Sequence, residues 1–175
     1  MKLHLLTAVT RPENLRQIGA AIGMLAGASG VDVVWHTQSD PERQSVGGQS
    51  IKNAMLDQIG DGWVYILDDD NLPHTNLFRA VAEIDRMLPD AAMIALTQEH
   101  RGGRVRPVHA GMLRASHVDA GQVVVRRDAI GDLRIPEHYC GDGEWIEALA
   151  AKLDGRIVFV DTPATYYNWL RNEAS

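Results

Sequence analysis

Three consecutive aspartates, Asp68, Asp69 and Asp70, follow directly on an apolar run in the segment GWVYILDDDNLP. Neighbouring carboxylates repel one another, and the repulsion grows where the end of a buried strand removes them from water. A cation is expected there. In extended backbone Asp68 and Asp70 project to one side and Asp69 to the other. Such an Asp-x-Asp pair can hold one hard divalent ion, Mn²⁺ or Mg²⁺, with positions left for phosphate oxygens. The bland alternative is a solvated turn in which Asp70 or Asn71 bonds nearby backbone amides. A second acidic group, Asp142 and Glu144, opens the segment GDGEWIEAL. Asp142 suits a helix N-cap, and Glu144 suits the first turn, where the helix dipole favours a carboxylate.

The elements that must position these groups follow from the apolar pattern. LHLLTAV at 3–9 reads as a buried strand, and Leu15, Ile18, Ile22 and Leu25 recur at helical spacing within 14–26. VDVVW at 31–35 is a second strand, the polar stretch 36–48 a loop, and Ile51, Met55 and Ile59 mark a helix over 50–59 ended by Gly60. A third strand (63–67), a helix (76–87) and a fourth strand (91–97) follow. Beyond them come an irregular hairpin around Gly102-Gly103, a strand at 122–127, a helix at 142–153 and a last strand at 156–160. Alternating strands and helices predict an α/β fold with a central, mostly parallel sheet flanked by helices, in one domain spanning 1–175. Ligands in such sheets collect at the carboxyl ends of the strands, which puts residues 7–11, 36–40 and 68–71 on one rim.

Composition excludes several classes. The chain of 175 residues is 45% hydrophobic and 23% charged, the profile of a folded globular protein. Its formal net charge is -6 and its 17 basic residues are scattered, which argues against a nucleic-acid partner. Cys140 is the only cysteine, so neither an internal disulfide nor a cysteine-rich zinc site is expected. No stretch approaches the length of a membrane span, and the first apolar run is too short for a signal peptide; a cytoplasmic protein is the expectation.

Taken in order, TAVTRPENL at 7–15, GGQSIKNAMLDQIGDGWVYILDDDNLP at 47–73 and GDGEWIEAL at 141–149 resemble the nucleotide-sugar-dependent glycosyltransferases of the GT-A fold, the family-2-like group above all. VYILDDDN also resembles the aspartate segment of the animal glucuronyltransferases. The resemblance implies a metal-dependent transfer of sugar, with inversion, from a UDP- or GDP-linked donor to an acceptor. It implies that Thr7, Arg11 and Gln38 or Asp40 contact the base or ribose, with Lys52 and Asn53 near the nucleotide, where family members carry Arg-Asn. Asp70 becomes the principal metal ligand and Asp68 lies towards ribose and metal, while Asp69 suits either job. In HVDAGQVVVRRDAIG, Asp119, Gly121 and Gln122 become candidates for donor sugar or acceptor. The base is Glu144 or Asp142, with Glu144 ahead: the family carries Glu-Asp or Asp-Asp here with the base last, whereas this chain carries Asp-Gly-Glu.

Many metal-dependent members add a C-terminal histidine ligand, yet no histidine follows His138. Water, phosphate or His138 itself would complete the coordination sphere. Tyr166, Tyr167 and Trp169 suit either sugar stacking or core packing. Two other functions are compatible with the fold. One is a module that binds a nucleotide sugar without transferring it; the other is a sugar nucleotidyltransferase, against which stands the lack of a glycine-rich loop with a following basic residue after the first strand. The chain is shorter than typical members, so a second copy, in a homo-oligomer, could complete an acceptor cleft.

Overall fold

The computed structural model describes residues 1–40, 42 and 44–171. Strand β1 (Lys2–Val9) sets the plan, because its side chains alternate between two apolar layers. Leu3 and Leu5 face one core, shared with Ile18, Ile22, Leu77, Phe78 and Val81, whereas Leu6 faces the other, shared with Met55, Leu56, Trp145, Ile146 and Leu149. Strand β3 (Trp63–Ile66) repeats the division, with Trp63 and Tyr65 on the first face and Val64 and Ile66 on the second. All four are buried, as a strand covered on both sides must be.

The remaining elements, in chain order, are α1 (Leu15–Ser29), β2 (Asp32–Ser39), α2 (Gln49–Gln58), β4 (Leu72–Pro73) and α3 (Thr75–Met87). After them come β5 (Met93–His100), β6 (Val105–Arg106), β7 (Val123–Arg126), the single turn α4 (Arg127–Ile130), α5 (Gly141–Lys152) and β8 (Ile157–Tyr167). One eight-stranded sheet runs β2-β1-β3-β7-β5-β8-β4, with β6 paired to β5. The pairs β1 with β2, β1 with β3 and β5 with β8 are parallel. β7 runs against both its neighbours, as do the two-residue strands β4 and β6 against theirs. The five strands β1, β2, β3, β5 and β8 therefore point the same way, and their carboxyl ends form one rim. Helices α1 and α3 cover one face, and α2 and α5 the other.

Two strands outrun the sequence expectation. β2 continues through His36 to Ser39, part of the stretch expected as a loop, of which residues 41 and 43 lie outside the described ones. The cause is its position: an edge strand paired only with β1 keeps its backbone bonds while exposing polar side chains. β8 runs on to Tyr167, well past 160, with a register break against β5 between Leu96 and Gln98. Such an irregularity lets a strand absorb Pro163 and still reach the rim. Among the described residues no helix is long and apolar enough to cross a membrane.

The loop entering α2 depends on glycine. Gly48 has φ +71°, and a Cβ there would lie 2.4 Å from the Ala8 Cβ at the end of β1. Gly48→Ala should therefore lower stability by about 2–4 kcal/mol, combining left-handed backbone strain with overpacking. Gly60→Ala, where a Cβ meets nothing within 4 Å, should stay within about 0.5 kcal/mol. Urea denaturation of the two variants measures the contrast, and equal losses would contradict it.

Candidate active site

The apolar run ends at Leu67, whose N–H still bonds the Leu6 carbonyl (3.0 Å), and the aspartates then sit in a turn closed by Asn71 N–H to Asp68 O (3.1 Å). They are thus not in extended backbone, and the alternation expected for a strand does not place them. What places them is Asp69. Its side chain is 4% exposed. Oδ2 accepts from Thr10 N (2.5 Å), Thr10 Oγ1 (2.9 Å) and Arg11 N (2.6 Å), and Oδ1 accepts from Arg11 Nη1 (2.6 Å). Asn14 Nδ2 adds a bond to the Asp69 carbonyl at 2.9 Å. A buried carboxylate requires such a set of donors, and here they pin the loop after β1 to the end of β3.

The flanking carboxylates face a cavity of about 390 Å³ on the rim. Asp68 accepts from Lys52 Nζ at 2.8 Å. Lys52, on the first turn and a half of α2, is only 6% exposed. Burial opposes its charge, but Asp68, with Asp142 and Asp119 behind it, outweighs that and pushes the ammonium pKa up, so Lys52 stays charged. Asp70 lies 3.5 Å from Arg11 Nη1. Burial, then the neighbouring Asp68, pushes its carboxyl above the usual range, while Arg11 and Arg171 pull the other way. Among the described residues, Asp70 is the acidic group of the turn least neutralised by ion pairing.

The opposite wall is the start of α5. Cys140, not Asp142, occupies the N-cap, and Asp142 lies within the first turn. Gly141 makes this possible: a Cβ there would fall 1.9 Å from the Pro136 carbonyl oxygen, so only glycine lets the helix begin so close to the preceding loop. Asp142 lines the cavity, with Oδ1 accepting from Gly143 N (2.9 Å) and Oδ2 from Ala120 N (3.3 Å). Glu144 is on the outer, exposed face of the helix, 3.1 Å from His138 Nε2.

The cavity thus gathers Arg11, Lys52, Asp68, Asp69, Asp70 and Asp142. Other sequence candidates stand elsewhere. Thr7 is fully buried and its Oγ1 accepts from Trp35 Nε1 at 3.0 Å. Gln38 is exposed on β2. Asp40 is buried and organises the neighbouring loop, accepting from Gln44 N (2.9 Å) and Ser45 N (3.0 Å). Asn53 clamps the backbone of Ile135 through both ends of its amide (2.8 and 2.9 Å). Gly121 and Gln122 are buried in a turn behind Asp142 rather than on the cavity wall. Thr10, the loop 45–49, Tyr139, Tyr167, Asn168 and Arg171 do line it. Of these, Tyr167 belonged to the aromatic segment noticed in the sequence. Arg171 carried no signal beyond its charge.

Among the described residues no group of three or more histidine, cysteine, aspartate or glutamate side chains is arranged to hold a metal. Asp68 and Asp70 nevertheless present two hard carboxylates to the same space, and among the described residues Asp68 Oδ2 accepts no hydrogen bond. One or two carboxylates together with water and phosphate oxygens is the usual environment of Mg²⁺. The residues fit an ion shared with a bound diphosphate, not one caged by protein alone.

No protein-family model matches the chain, and no curated protein sequence matches it either. Solved structures do. S. aureus TarS 1-349 in complex with UDP-GlcNAc superposes with a TM-score of 0.65 at 15% identity, covering 95% of this chain and 58% of that one. A mutant of Drosophila beta1,4galactosyltransferase 7 in complex with manganese, UDP-Gal and xylobiose gives 0.61 at 16% identity, over 95% of this chain and 70% of that one.

The chain has a GT-A fold. A glycosyltransferase involved in glycosylation of the major capsid of PBCV-1 extends the likeness, with a TM-score of 0.59 at 12% identity over 92% of this chain and 82% of that one. The GT-A chain therefore spans little more than half the length of the TarS chain it resembles.

The division of labour within the aspartate turn is testable. Asp69→Ala should destabilise the fold by about 3 kcal/mol, since it removes the shared partner of the Thr10 and Arg11 amides and of the Arg11 guanidinium. Asp70→Ala, at a carboxyl whose charged form burial and Asp68 already disfavour, should cost about 1 kcal/mol or less. Thermal or urea unfolding that ranks them in reverse would show that Asp69 is not the tether.

Proposed function

We propose that this GT-A chain transfers a sugar from a uridine-diphosphate donor to an acceptor hydroxyl, with inversion, using a divalent metal at Asp70 and Asp68 and Asp142 as general base. The observation that carries the reading is a single rim cavity in which cations and a metal-compatible carboxylate pair face a separate carboxylate on α5. UDP is the favoured nucleotide because the neighbouring structures hold UDP-GlcNAc and UDP-Gal.

Each residue has a physical task. Arg11, anchored on Asp69, and Lys52, kept charged by Asp68, present fixed positive charge to a diphosphate without reorganising when it arrives. Mn²⁺ or Mg²⁺ bound beside them would supply Lewis-acid stabilisation of the charge that grows on the departing diphosphate. Asp142 is supported as the base over Glu144 because it opens onto the cavity. Its two amide hydrogen bonds, from Gly143 and Ala120, hold the carboxylate in place at the cavity wall, where it would take a proton from the acceptor hydroxyl. Glu144, on the outside of α5 and paired with His138, does not line the cavity.

A donor-binding module without transfer is the second reading. It is favoured by those same two amide bonds, which occupy both oxygens of Asp142, and by the limited share of the TarS chain that is covered.

Calorimetric titration with UDP and GDP, each with and without Mn²⁺, tests the donor site. UDP affinity should rise at least tenfold with Mn²⁺, and Asp70→Ala should abolish that gain. A wild type that binds neither nucleotide in either condition would sink the proposal. Asp142→Asn should leave UDP affinity within about twofold while slowing UDP-sugar consumption by 10²-fold or more. Intact UDP binding with no consumption of UDP-sugars by the wild type, across a broad acceptor panel, would favour the binding module.

A further inference from the structure

Asp142 is held from behind by a turn, and the turn is held by an arginine that does not line the cavity. Residues 120–122 form a short 3-10 turn capped by Asp119, whose side chain accepts from Gly121 N at 2.9 Å, with Gln122 reaching back to the Asp119 backbone. The Tyr65 hydroxyl donates to the Gly121 carbonyl at 2.9 Å from beneath. The N–H of Ala120, exposed by this arrangement, is the donor to Asp142 Oδ2.

Arg106, on the two-residue strand β6, closes the network. Its Nη1 donates to Asp119 Oδ2 (2.5 Å) and to Gln98 Oε1 (3.0 Å), and Gln98 Nε2 donates in turn to Asp119 Oδ1 (3.1 Å). The same guanidinium lies 4.8 Å from the ring centroid of Tyr167, which lines the cavity. One side chain therefore braces both the turn behind Asp142 and an aromatic wall of the cavity. A lysine has neither the planar face nor the fork to do both.

We infer that Arg106 is a positioning residue for the transfer step: acting through Asp119 and the Ala120 amide, it sets the orientation of Asp142 without touching the donor. The inference rests on the reading of Asp142 as the base. It also has a pH signature. Asp119 pairs with Arg106, feels the charges of Asp68 and Asp142, and acts on Lys52, Tyr65 and Tyr167. Burial pushes its carboxyl up to about 6, with Arg106 holding it down against Asp68 and Asp142. Below that pH Asp119 is neutral and its hold on Arg106 weakens, so turnover should fall on the acid side. Without Arg106 the carboxyl rises further and the acid limb moves to higher pH.

The test compares wild type, Arg106→Leu and Arg106→Lys in three measurements. Calorimetry with UDP and Mn²⁺ should give affinities within about twofold of one another. Hydrolysis of UDP-glucose, UDP-galactose and UDP-GlcNAc, with water in the acceptor's place, should drop tenfold or more in Arg106→Leu. In Arg106→Lys it should drop less, with the acid limb displaced upward in both. Carbon-13 NMR of labelled aspartate carboxyls should show the Asp142 resonance moved in Arg106→Leu, a readout that needs no turnover. Unchanged turnover with an unmoved Asp142 resonance would overturn the inference, as would UDP affinity falling in step with turnover. If Arg106→Leu does not fold, Arg106→Lys decides by the same criteria. A wild type that fails to bind UDP removes the donor reading, while the Asp142 resonance still reports whether Arg106 sets that carboxylate.

Discussion

The site depends on one buried carboxylate. Asp69 points into the protein and takes four hydrogen bonds from Thr10 and Arg11, which joins the ends of β1 and β3 at the rim. Burying a charge this deeply is unfavourable unless donors surround it, and the loop after β1 supplies them from its backbone as well as its side chains. With the middle aspartate committed inward, the two flanking ones open onto the cavity. The same bonds aim Arg11 at Asp70. Three adjacent acids are thus tolerated because they do three different things, and only two of them face solvent or a ligand.

Charge is distributed around the cavity in a way that suits a dianion arriving with a dication. Lys52 neutralises Asp68 from within the protein, Arg11 neutralises Asp69, and Asp70 and Asp142 stand on facing walls with no full partner among the described residues. Adding a diphosphate alone would set it against those two carboxylates. Adding a metal alone would leave it short of ligands. Together they satisfy each other, which is why the two are expected to bind interdependently.

Much of this was legible in the sequence, and the failures have physical causes. Leu3, Leu5 and Leu6 announced a strand covered on both faces, and the helical spacing of Ile18 and Ile22 placed α1. His36 to Ser39 read as loop because an edge strand shows polar side chains to water while its backbone is paired. Asp68 and Asp70 were grouped by strand alternation, whereas a turn and the tether at Asp69 bring them together. Thr7 was a candidate and Thr10 was not, because local pattern cannot tell which hydroxyl will meet Trp35 and which will meet Asp69. Which of Asp142 and Glu144 lines the cavity turned on where α5 begins. A glycine packed against a carbonyl from the preceding loop decided that, and it leaves no periodic trace. Arg171 and the role of Tyr167 depend on how far β8 runs, which is set by its pairing with β5 rather than by its own composition.

The return of β8 carries a consequence for how the molecule comes to be. Asn168 N–H bonds the Asn71 side chain across 97 positions of sequence, and Leu170 N–H bonds the Asp70 carbonyl beside it. Contacts that close so long a stretch of chain form late, after the local helices and nearest strand pairs have reduced the search. The pairing of β1 with β2 and β3 does not involve them, but the wall of the cavity built by Tyr167, Asn168 and Arg171 does. Completion of the cavity is therefore a property of the fully paired sheet: β1, β2 and β3 alone would expose the aspartates without the wall that encloses them.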